Sequence, residues 1–282
     1  MSKEKRVLSI QDYSVMGRCS LTVALPTLSA LGYECVGLPT AVLSNHTRFR
    51  SWTYTDLTSE LIPMVGKWDD YNHRFDAIQT GYLGDNQVSV IIEIINKLKT
   101  KDTLVLVDPA MADNGRLYAG FADSHVAEMK KLMKYADLTC PNITEASLLT
   151  GLPYHGEALS KEEAEELLNG LLQLGPSKAV LSGIVFPNGM IGCAYKEKDQ
   201  EMKIYKTKDL HVSCHGTGDL FAAALLGAFL KTSSLAESVK VAHDYVHESI
   251  IQSVNDGLSD METYGVDFEK AIPYLLNDLN LG

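Results

Sequence analysis

The sequence predicts an α/β fold in which helices cover both faces of a mostly parallel sheet. Short apolar segments alternate with helix-compatible segments, a hairpin pattern occurs once, and no linker or repeat divides the chain. Strands that alternate with helices are joined by right-handed crossovers, which place the helices on the two faces of the sheet. We therefore expect one three-layer α/β/α sandwich domain over residues 1–282, with a small hairpin at one sheet edge.

The first half of the chain supplies most of the predicted parallel strands, as short apolar runs typical of strands buried on both faces. These strands cover residues 6–10, 34–38, 40–43, 75–79 and 103–107. Apolar residues at helical spacing predict the intervening helices, which cover residues 20–31, 55–67 and 85–98. Gly32 should end the first helix, and Pro26 should kink it.

The second half continues the alternation and then becomes mostly helical. Helices are predicted at 124–135, 144–149, 161–174, 217–230, 234–254 and 267–279, and strands at 137–139 and 179–181. Residues 189–207 differ, because two apolar runs flank the polar turn KEKDQ, which predicts the antiparallel edge hairpin. Residues 217–230 are almost wholly apolar and should form a buried helix, whereas Pro273 should interrupt the last one.

The composition is that of an acidic globular protein. Of the 282 residues, 45% are hydrophobic and 22% charged, and 36 Asp plus Glu against 25 Lys plus Arg give a formal net charge of -11. This charge argues against a nucleic-acid partner. The sequence shows neither a membrane-spanning run nor a signal peptide, which predicts a cytoplasmic protein without a membrane partner. The 5 cysteines contain no C-x-x-C pair, so we expect reduced thiols.

In an open parallel sheet, ligands bind at the carboxyl ends of the strands. The strongest motif for such a site is Gly216-Thr217-Gly218-Asp219, which leads directly into the apolar helix. Glycines let a backbone approach a ligand closely, and free N–H groups at a helix N-terminus bind an oxyanion or a phosphate. Asp219 either caps the helix, which is worth roughly 0.3–1 kcal/mol, or acts as a general base in phosphoryl transfer. The turn alone leaves both interpretations open.

A second group of polar residues lies at other strand ends: Asp108, Asp113, Asn142 and Glu145. Carboxylate and amide oxygens suit Mg²⁺, which also takes substrate phosphates and water as ligands. Each residue alone is also typical of a turn or a helix cap. Their joint position at strand ends favours a metal and phosphate site.

Two nucleotide-binding motifs and a zinc motif are missing from the sequence. There is no G-x-x-x-x-G-K-[ST] loop, and no G-x-G-x-x-G follows the first strand. His243 and His247 have the i, i+4 spacing of zinc ligands, but the Glu of H-E-x-x-H and a third ligand are not evident. Surface or interface histidines are the favoured interpretation.

The combination of motifs resembles the pyridoxal/pyridoxamine kinases of the ribokinase-like superfamily, from about residue 6 to about residue 255. The motifs are Ser9-Ile10-Gln11, Ser44-Asn45-His46-Thr47, Thr80-Gly81-Tyr82, Asp108-Pro109, Pro141-Asn142 with Glu145, and Gly216-Thr217-Gly218-Asp219-Leu220-Phe221. The last motif is typical of the whole superfamily. The SIQ, SNHT and TGY segments are more specific for vitamin B6 kinases.

The resemblance implies a ribokinase-like fold and ATP-dependent phosphorylation of the 5′-hydroxymethyl group of pyridoxal, pyridoxamine or pyridoxine, as in vitamin B6 salvage. ATP and Mg²⁺ are the implied cofactors, with K⁺ as a candidate monovalent cation, and a homodimer is the implied assembly. Asp219 resembles the base, and the amides of Gly216, Thr217 and Gly218 resemble the anion hole. In this scheme the loops 44–50 and 113–118 are candidates for closing over the substrate.

The resemblance also assigns candidate roles to the remaining motif residues. Thr47 would bond the pyridine ring and Tyr82 would pack near it, within a substrate site made of Ser9, Asp12, His46, Thr47, Tyr82 and Cys214. The nucleotide and metal neighbourhood would be made of Asp108, Asp113, Asn142, Glu145, Ser182 and Thr207. Asp113 and Glu145 are the metal candidates in this group.

Two positions depart from the family pattern. Asp12 stands where many members have Ser, and it either binds the ring 3-hydroxyl or the protonated ring nitrogen, or points away. Cys214-His215 is similar to the pyrimidine kinases of thiamine synthesis. Cys214 is therefore either a thiol that adds reversibly to the pyridoxal aldehyde or an inert buried thiol. The alternative function is a kinase of the same fold that acts on hydroxymethylpyrimidine or a sugar, or a dual-specificity kinase of this fold. A non-catalytic B6 binder is disfavoured, because Asp219 would serve no purpose in it.

Overall fold

The computed structural model describes residues 5–71 and 74–281, and a nine-stranded sheet in the order β11-β10-β9-β8-β5-β4-β1-β2-β3 forms its centre. The strands are β1 (Arg6–Ser14), β2 (Glu34–Leu43), β3 (Tyr54–Asp56), β4 (Ala77–Thr80), β5 (Leu104–Val107), β6 (Ala112–Asp113), β7 (Arg116–Leu117), β8 (Leu138–Thr139), β9 (Lys178–Phe186), β10 (Met190–Glu197) and β11 (Lys203–Lys208). Strands β6 and β7 form a separate two-stranded ribbon.

The inner part of the sheet is parallel and its edges are antiparallel. Strand β1 pairs in parallel with β2 and β4, and the parallel ladder continues through β5 and β8 to β9. Strands β10 and β11 form an antiparallel hairpin at one edge, as predicted, and β3 adds an antiparallel strand at the other edge. The carboxyl ends of the parallel strands therefore open on one side of the sheet, where the candidate ligand segments lie.

Helices pack on both faces of the sheet and confirm the three-layer prediction. They are α1 (Leu21–Ala30), α2 (Thr58–Gly66), α3 (Val88–Leu98), α4 (Asp123–Met133), α5 (Ile143–Thr150), α6 (Lys161–Gln173), α7 (Thr217–Thr232), α8 (Leu235–Asn255), α9 (Met261–Tyr264) and α10 (Phe268–Asp278). The core on one face is built with α2 to α6, and the core on the other with α1, α7, α8 and α10.

Helix α7 is the buried helix that its apolar sequence predicts. Every residue from Leu220 to Ala228 is buried, between the sheet and the neighbouring helices α1 and α8. Gly227 allows close packing, because a Cβ there would lie 2.3 Å from a Leu31 methyl group. Burial along the whole helix holds its N-terminus, which carries Asp219, in a fixed position at the sheet edge.

Several element boundaries differ from the prediction. The prediction that Pro273 interrupts the last helix is wrong, because α10 continues through this residue. Phe268, Ala271 and Leu275 are buried, and their packing outweighs the loss of one backbone hydrogen bond. The predicted helix 55–67 starts only at Thr58, because the residues before it pair with β2 as strand β3.

Some strands are longer or more continuous than predicted. The two predicted strands 34–38 and 40–43 are one strand, β2, whose register against β1 shifts between Gln11 and Tyr13. Strand β1 extends to Ser14 and β9 to Phe186, so Ser182 lies within a strand rather than after it. Strands β6 and β7 and helix α9 were not predicted, since each is four residues long or shorter.

Within the described part of the chain, no helix is both long and apolar enough to cross a membrane. All five cysteines are free thiols, as their number and spacing predict.

Candidate active site

The Gly216-Thr217-Gly218-Asp219 segment forms a tight turn at the N-terminus of α7. Gly216 is the N-cap residue, with a left-handed φ of 76°. A Cβ there would lie 2.0 Å from the carbonyl oxygen of Arg18, so both the backbone conformation and the close approach require glycine. The first amides of a helix have no helical acceptor. The turn therefore presents N–H groups to a ligand at the carboxyl edge of the sheet.

Asp219 does not cap its own helix. Helix α7 has no side-chain cap, and the Asp219 carboxylate instead accepts a hydrogen bond of 2.8 Å from the backbone N–H of Ser20. Ser20, with a φ of 48°, is the N-cap residue of α1. The N-termini of α1 and α7 thus meet at this carboxylate. Asp219 is therefore not the cap of its own helix, which was one of the two interpretations that the sequence left open.

Burial gives Asp219 the proton affinity of a base that works near neutrality. Burial raises its pKa from 3.8 to about 7, against the opposing hydrogen bond from Ser20, and the charge of Asp12 raises it further. A group with this pKa changes its protonation state within the physiological range.

Asp108 and Glu145 form a buried acidic pair beside this turn. They are 6% and 3% exposed. Burial, the charge of Glu145 and then that of Asp219 hold the pKa of Asp108 well above its usual range. No hydrogen bond to the Asp108 carboxylate is present among the residues described. The carboxylates of Asp108, Glu145 and Asp219 therefore lie close enough for their charges to interact, and that of Asp108 has no hydrogen-bond donor among the described residues. Such a group fits a site where a divalent cation would neutralise the negative charge.

Glu145 is held by the backbone on both of its oxygens. Oε1 accepts a hydrogen bond of 3.0 Å from the N–H of Met111, and Oε2 accepts one of 3.0 Å from the N–H of Asn142. Burial raises the pKa of Glu145, and these two donors oppose the rise. The side chain therefore fixes the loop after β5 to the start of α5.

Asn142 and Asp113 take the turn and cap roles that the sequence left open. Asn142 caps α5: its Oδ1 accepts the N–H of Glu145 at 2.9 Å, and its Nδ2 donates to the carbonyl oxygen of Ala112 at 2.8 Å. Asp113 begins the turn between β6 and β7, where its two oxygens accept from Asn114 at 2.9 Å each. Within the described residues, no cluster of three or more His, Cys, Asp or Glu side chains has a geometry for a metal ion. A cation here would need substrate or water ligands as well.

Asp12 and Ser9 both lie on strand β1. Asp12 is 5% exposed and accepts a hydrogen bond of 3.0 Å from the Ser14 hydroxyl, and burial raises its pKa. Its charge acts on Asp219 and Tyr82, so it belongs to the same site. Ser9 is fully buried below it and accepts a hydrogen bond of 2.8 Å from Gln11.

Tyr82 begins a ladder of three stacked aromatic rings. Its ring lies 5.4 Å from that of Phe121 at 26°, and Phe121 lies 3.9 Å from His125 at 4°. Burial raises the pKa of Tyr82 to about 12. No local sequence pattern identifies Phe121 and His125, because the ladder joins residues near the end of β4 to residues near the start of α4.

The loop 44–50 is anchored through His46. Nε2 of His46 lies 2.7 Å from the carbonyl oxygen of Thr263, and its Nδ1 accepts the N–H of Arg48 at 3.3 Å, so Nε2 carries the proton. The centroid of the His46 ring lies 4.1 Å from that of His215, with the two rings tilted by 30°, and His215 directly precedes Gly216. Thr47 is exposed on the same loop.

Tyr118 is a second residue of this neighbourhood that the motifs did not identify. Burial raises the pKa of its phenol, and the charges of Glu145, Asp113, Asp219 and Asp108 raise it further, in that order. The phenol therefore lies in the field of all four carboxylates. It stands within the loop 113–118, which the sequence proposed as mobile.

Cys214 has the surroundings of an unreactive thiol. Its Sγ lies 3.9 Å from the sulfur of Met261 and 4.0 Å from the carbonyl oxygen of Val212. Burial and then Glu262 raise its pKa to about 11, so the nucleophilic thiolate is disfavoured.

The predicted nucleotide-site residues Ser182 and Thr207 lie on strands β9 and β11, toward the hairpin edge of the sheet. The Ser182 hydroxyl donates to the carbonyl oxygen of Pro141 at 3.3 Å. The Thr207 hydroxyl lies 2.8 Å from Nε2 of His243, on the edge strand β11, and no contact joins it to the carboxylates among the residues described. His247 bonds the carbonyl oxygen of Lys208 at 2.9 Å, so both histidines of the i, i+4 pair contact β11.

Known proteins match this chain over most of its length. A family model described as phosphomethylpyrimidine kinase matches residues 24–263. Pyridoxal kinase of Ovis aries is 32% identical over 247 residues, covering 80% of this chain and 78% of that protein. Pyridoxal kinase of Arabidopsis thaliana is 32% identical over 231 residues, covering 79% and 73%.

Solved structures match it as well. One is a Bacteroides thetaiotaomicron protein assigned as a phosphomethylpyrimidine kinase and crystallised with pyridoxal, with a TM-score of 0.91, 31% identity, and coverage of 97% of this chain and 96% of that one. Pyridoxal kinase of Lactobacillus plantarum has a TM-score of 0.89 at 28% identity and covers 98% of both chains. The chain belongs to the phosphomethylpyrimidine kinase family and shares the ribokinase-like fold of its pyridoxal kinase relatives.

Proposed function

We propose that this chain transfers the γ-phosphoryl group of ATP to the 5′-hydroxymethyl group of pyridoxal, pyridoxamine or pyridoxine. The observation that carries the proposal is the Asp219 carboxylate, with a pKa of about 7, beside the free amides of the α7 N-terminus. The similarity to pyridoxal kinases over about four fifths of the chain supports the activity. The pyridoxal-bound Bacteroides structure supports the substrate class.

The proposed transfer needs no covalent enzyme intermediate. Asp219 accepts the proton of the 5′-hydroxyl while that oxygen attacks the γ-phosphorus and the bond to the β,γ-bridging oxygen breaks, releasing ADP. The amides of Gly216, Thr217 and Gly218 hold the transferring phosphoryl oxygens. Positioning and charge stabilisation supply most of the rate enhancement in such reactions.

Asp108, Asp113 and Glu145 are proposed to hold Mg²⁺, largely through water. When bound, the cation neutralises the ATP phosphates and the acidic groups of the site. Asn142 positions Glu145 by capping α5. Ser182 and Thr207 are proposed to line the nucleotide site, and K⁺ remains the candidate monovalent cation.

The substrate ring is proposed to extend the aromatic ladder. Tyr82, Phe121 and His125 already stack, and a flat pyridine ring against Tyr82 would add a fourth member. Thr47 supplies an exposed hydroxyl for the ring, and Asp12 a carboxyl group. His46 is proposed to hold this loop in place through its bond to Thr263, and Ser9 to hold β1 through its bond to Gln11. Cys214 is proposed to line the site as a protonated thiol.

A kinase for hydroxymethylpyrimidine is the second candidate. It is favoured by the description of the matching family and by the Cys214-His215 pair. A pyrimidine ring would stack on Tyr82 as well, so the ladder does not separate the two substrates.

A homodimer and a cytoplasmic location are further proposals. Apolar side chains are exposed near the β3 edge of the sheet, among them Val15 (61%), Met16 (54%) and Tyr54 (46%). Such a patch suits a contact between subunits. Sedimentation of the purified chain distinguishes a dimer from a monomer, and cell fractionation tests the location.

The deciding experiment measures ADP release with Mg·ATP and pyridoxal, pyridoxamine, pyridoxine or hydroxymethylpyrimidine. We expect kcat/KM for one B6 vitamer to exceed that of the pyrimidine by about a hundredfold or more. A pyrimidine that equals or exceeds every vitamer would replace the proposed substrate. Asp219→Asn should lose activity by orders of magnitude, and retention within about tenfold would remove Asp219 from the mechanism.

A further inference from the structure

The loop after β2 carries two arginines that the proposed function does not use. Arg48 and Arg50 follow directly on the Ser44–Thr47 motif, and both are exposed. Among the described residues, no carboxylate lies within ion-pair distance of either guanidinium, whereas Arg18 pairs with Asp267 and Glu269. In a chain with a net charge of -11, two exposed arginines that have no ion-pair partner among the described residues favour binding of an anion.

The backbone at Arg48 is tied to the anion-binding turn through two contacts. The Arg48 N–H donates to Nδ1 of His46 at 3.3 Å, and the His46 ring contacts the ring of His215 at a centroid distance of 4.1 Å and a tilt of 30°. His215 directly precedes Gly216, the N-cap of α7. His46 is also fixed to Thr263, so the start of this loop is held in place.

Electrostatics place the Arg48 charge close to the same turn. After burial and His46, the positive charge of Arg48 helps to lower the pKa of His215 to about 3, and it also lowers the pKa of His46. Both imidazoles are therefore neutral at pH 7. The guanidinium of Arg48 is thus a permanent positive charge next to a pair of uncharged rings.

We propose that Arg48 binds the phosphoryl group during transfer and retains it as the 5′-phosphate of the product. This inference rests on the proposed function, and it adds a side-chain cation to the amides at the α7 N-terminus. A guanidinium is suited to this role, because its planar fork can donate two hydrogen bonds to one phosphate. Since the charge on the transferring group spreads over its outer oxygens, a cation there favours the transition state.

Arg50 provides a matched control. It has the same charge, lies two residues away on the same loop and is also exposed, but among the residues described no hydrogen bond ties it to His46. A general effect of loop charge would appear in both variants. A specific phosphate contact would appear only in the Arg48 variants.

The test compares binding of pyridoxal and pyridoxal 5′-phosphate to wild type, Arg48→Ala, Arg48→Lys and Arg50→Ala, by absorbance titration without ATP. We expect Arg48→Ala to weaken binding of the phosphate ester about tenfold or more and to leave pyridoxal binding within about twofold. Arg48→Lys should fall between, since it keeps the charge and loses the fork. The kcat of Arg48→Ala should fall about tenfold or more, with the KM for pyridoxal within about twofold.

Equal weakening of both ligands in Arg48→Ala would overturn the proposal, as would an equal loss of phosphate binding in Arg50→Ala. If Arg48→Ala does not fold, as judged by its circular dichroism, Arg48→Lys carries the same comparison against Arg50→Ala. Failure of the proposed function is seen separately, as a wild type that phosphorylates the pyrimidine instead of B6 vitamers. The titration is then made with that pyrimidine and its phosphate ester, and the same ratios decide on Arg48.

Discussion

Asp219→Asn should make the fold more stable at neutral and alkaline pH while removing turnover. The substitution keeps the shape of the side chain, and the Asn Oδ1 can still accept the hydrogen bond from the Ser20 N–H. What it removes is a carboxylate that the folded chain must ionise in a half-buried position, where contact with water is reduced. We therefore expect the Asp219 carboxylate to lower the free energy of unfolding although it is needed for activity.

The magnitude follows from the difference between the two pKa values. The folded-state pKa of about 7 lies above the ordinary value of 3.8 that applies to the unfolded chain. Below about pH 4 both states hold the proton and no penalty exists. As pH rises, the unfolded chain releases its proton first, so the penalty grows to roughly 1.5 kcal/mol at pH 5 and to roughly 4 kcal/mol above pH 7. Solvent reaching this partly exposed side chain makes these figures upper limits.

Urea unfolding of both proteins at pH 5 and pH 8 measures this difference. We expect the stability advantage of Asp219→Asn to increase between the two pH values by about 1–2.5 kcal/mol. A variant that is no more stable than wild type at pH 8 would refute the reasoning. In activity measurements, wild-type kcat should fall about tenfold per pH unit below pH 7, because only the carboxylate form accepts the proton.

Three further substitutions test the surroundings of this base. Gly216→Ala should lower the free energy of unfolding, measured in urea, by about 1–3 kcal/mol, because the new methyl group combines a left-handed φ with a contact of 2.0 Å to a backbone oxygen. Gly218→Ala is the control: its methyl group meets no atom within 4 Å, so it should unfold at the same urea concentration as wild type. Cys214→Ala should leave pyridoxal affinity, measured by absorbance titration, within about twofold, because burial keeps this thiol protonated; a loss of tenfold would support aldehyde capture instead. In steady-state assays, Phe121→Leu should raise the KM for pyridoxal about threefold or more, because Tyr82 loses its stacking partner. The KM for ATP should stay unchanged. Equal changes in both constants would argue for a general loss of structure.

The sequence predicts features that are encoded locally. The glycine turn at 216–218 and the apolar helix behind it are contiguous, so both the anion-binding turn and its buried support are readable from one segment. The same holds for the capping box of Asn142 and Glu145, whose three-residue spacing is a helix-start pattern.

Features that depend on distant residues were not predictable in this way. Neither the Ser20 donor to Asp219 nor the stacking of Phe121 between Tyr82 and His125 leaves a pattern in the sequence around it. The sequence pattern places Thr55 and Asp56 in a helix, because their strand character comes only from pairing with β2. It also overestimates the effect of Pro273, because the packing of α10 has no local pattern.

The hydrogen bond between Ser20 and Asp219 joins positions 199 residues apart, and this separation has a consequence for biosynthesis. A ribosome has made more than three quarters of the chain before Asp219 exists, and Ser20 has no Asp219 carboxylate to bond until α7 has been synthesised. Non-local contacts of this kind slow folding, because loop closure costs entropy before the contact is gained. The Asp219 carboxyl therefore titrates as an ordinary acid in any folding intermediate in which α7 is not docked, and its pKa rises only when docking of α7 buries it.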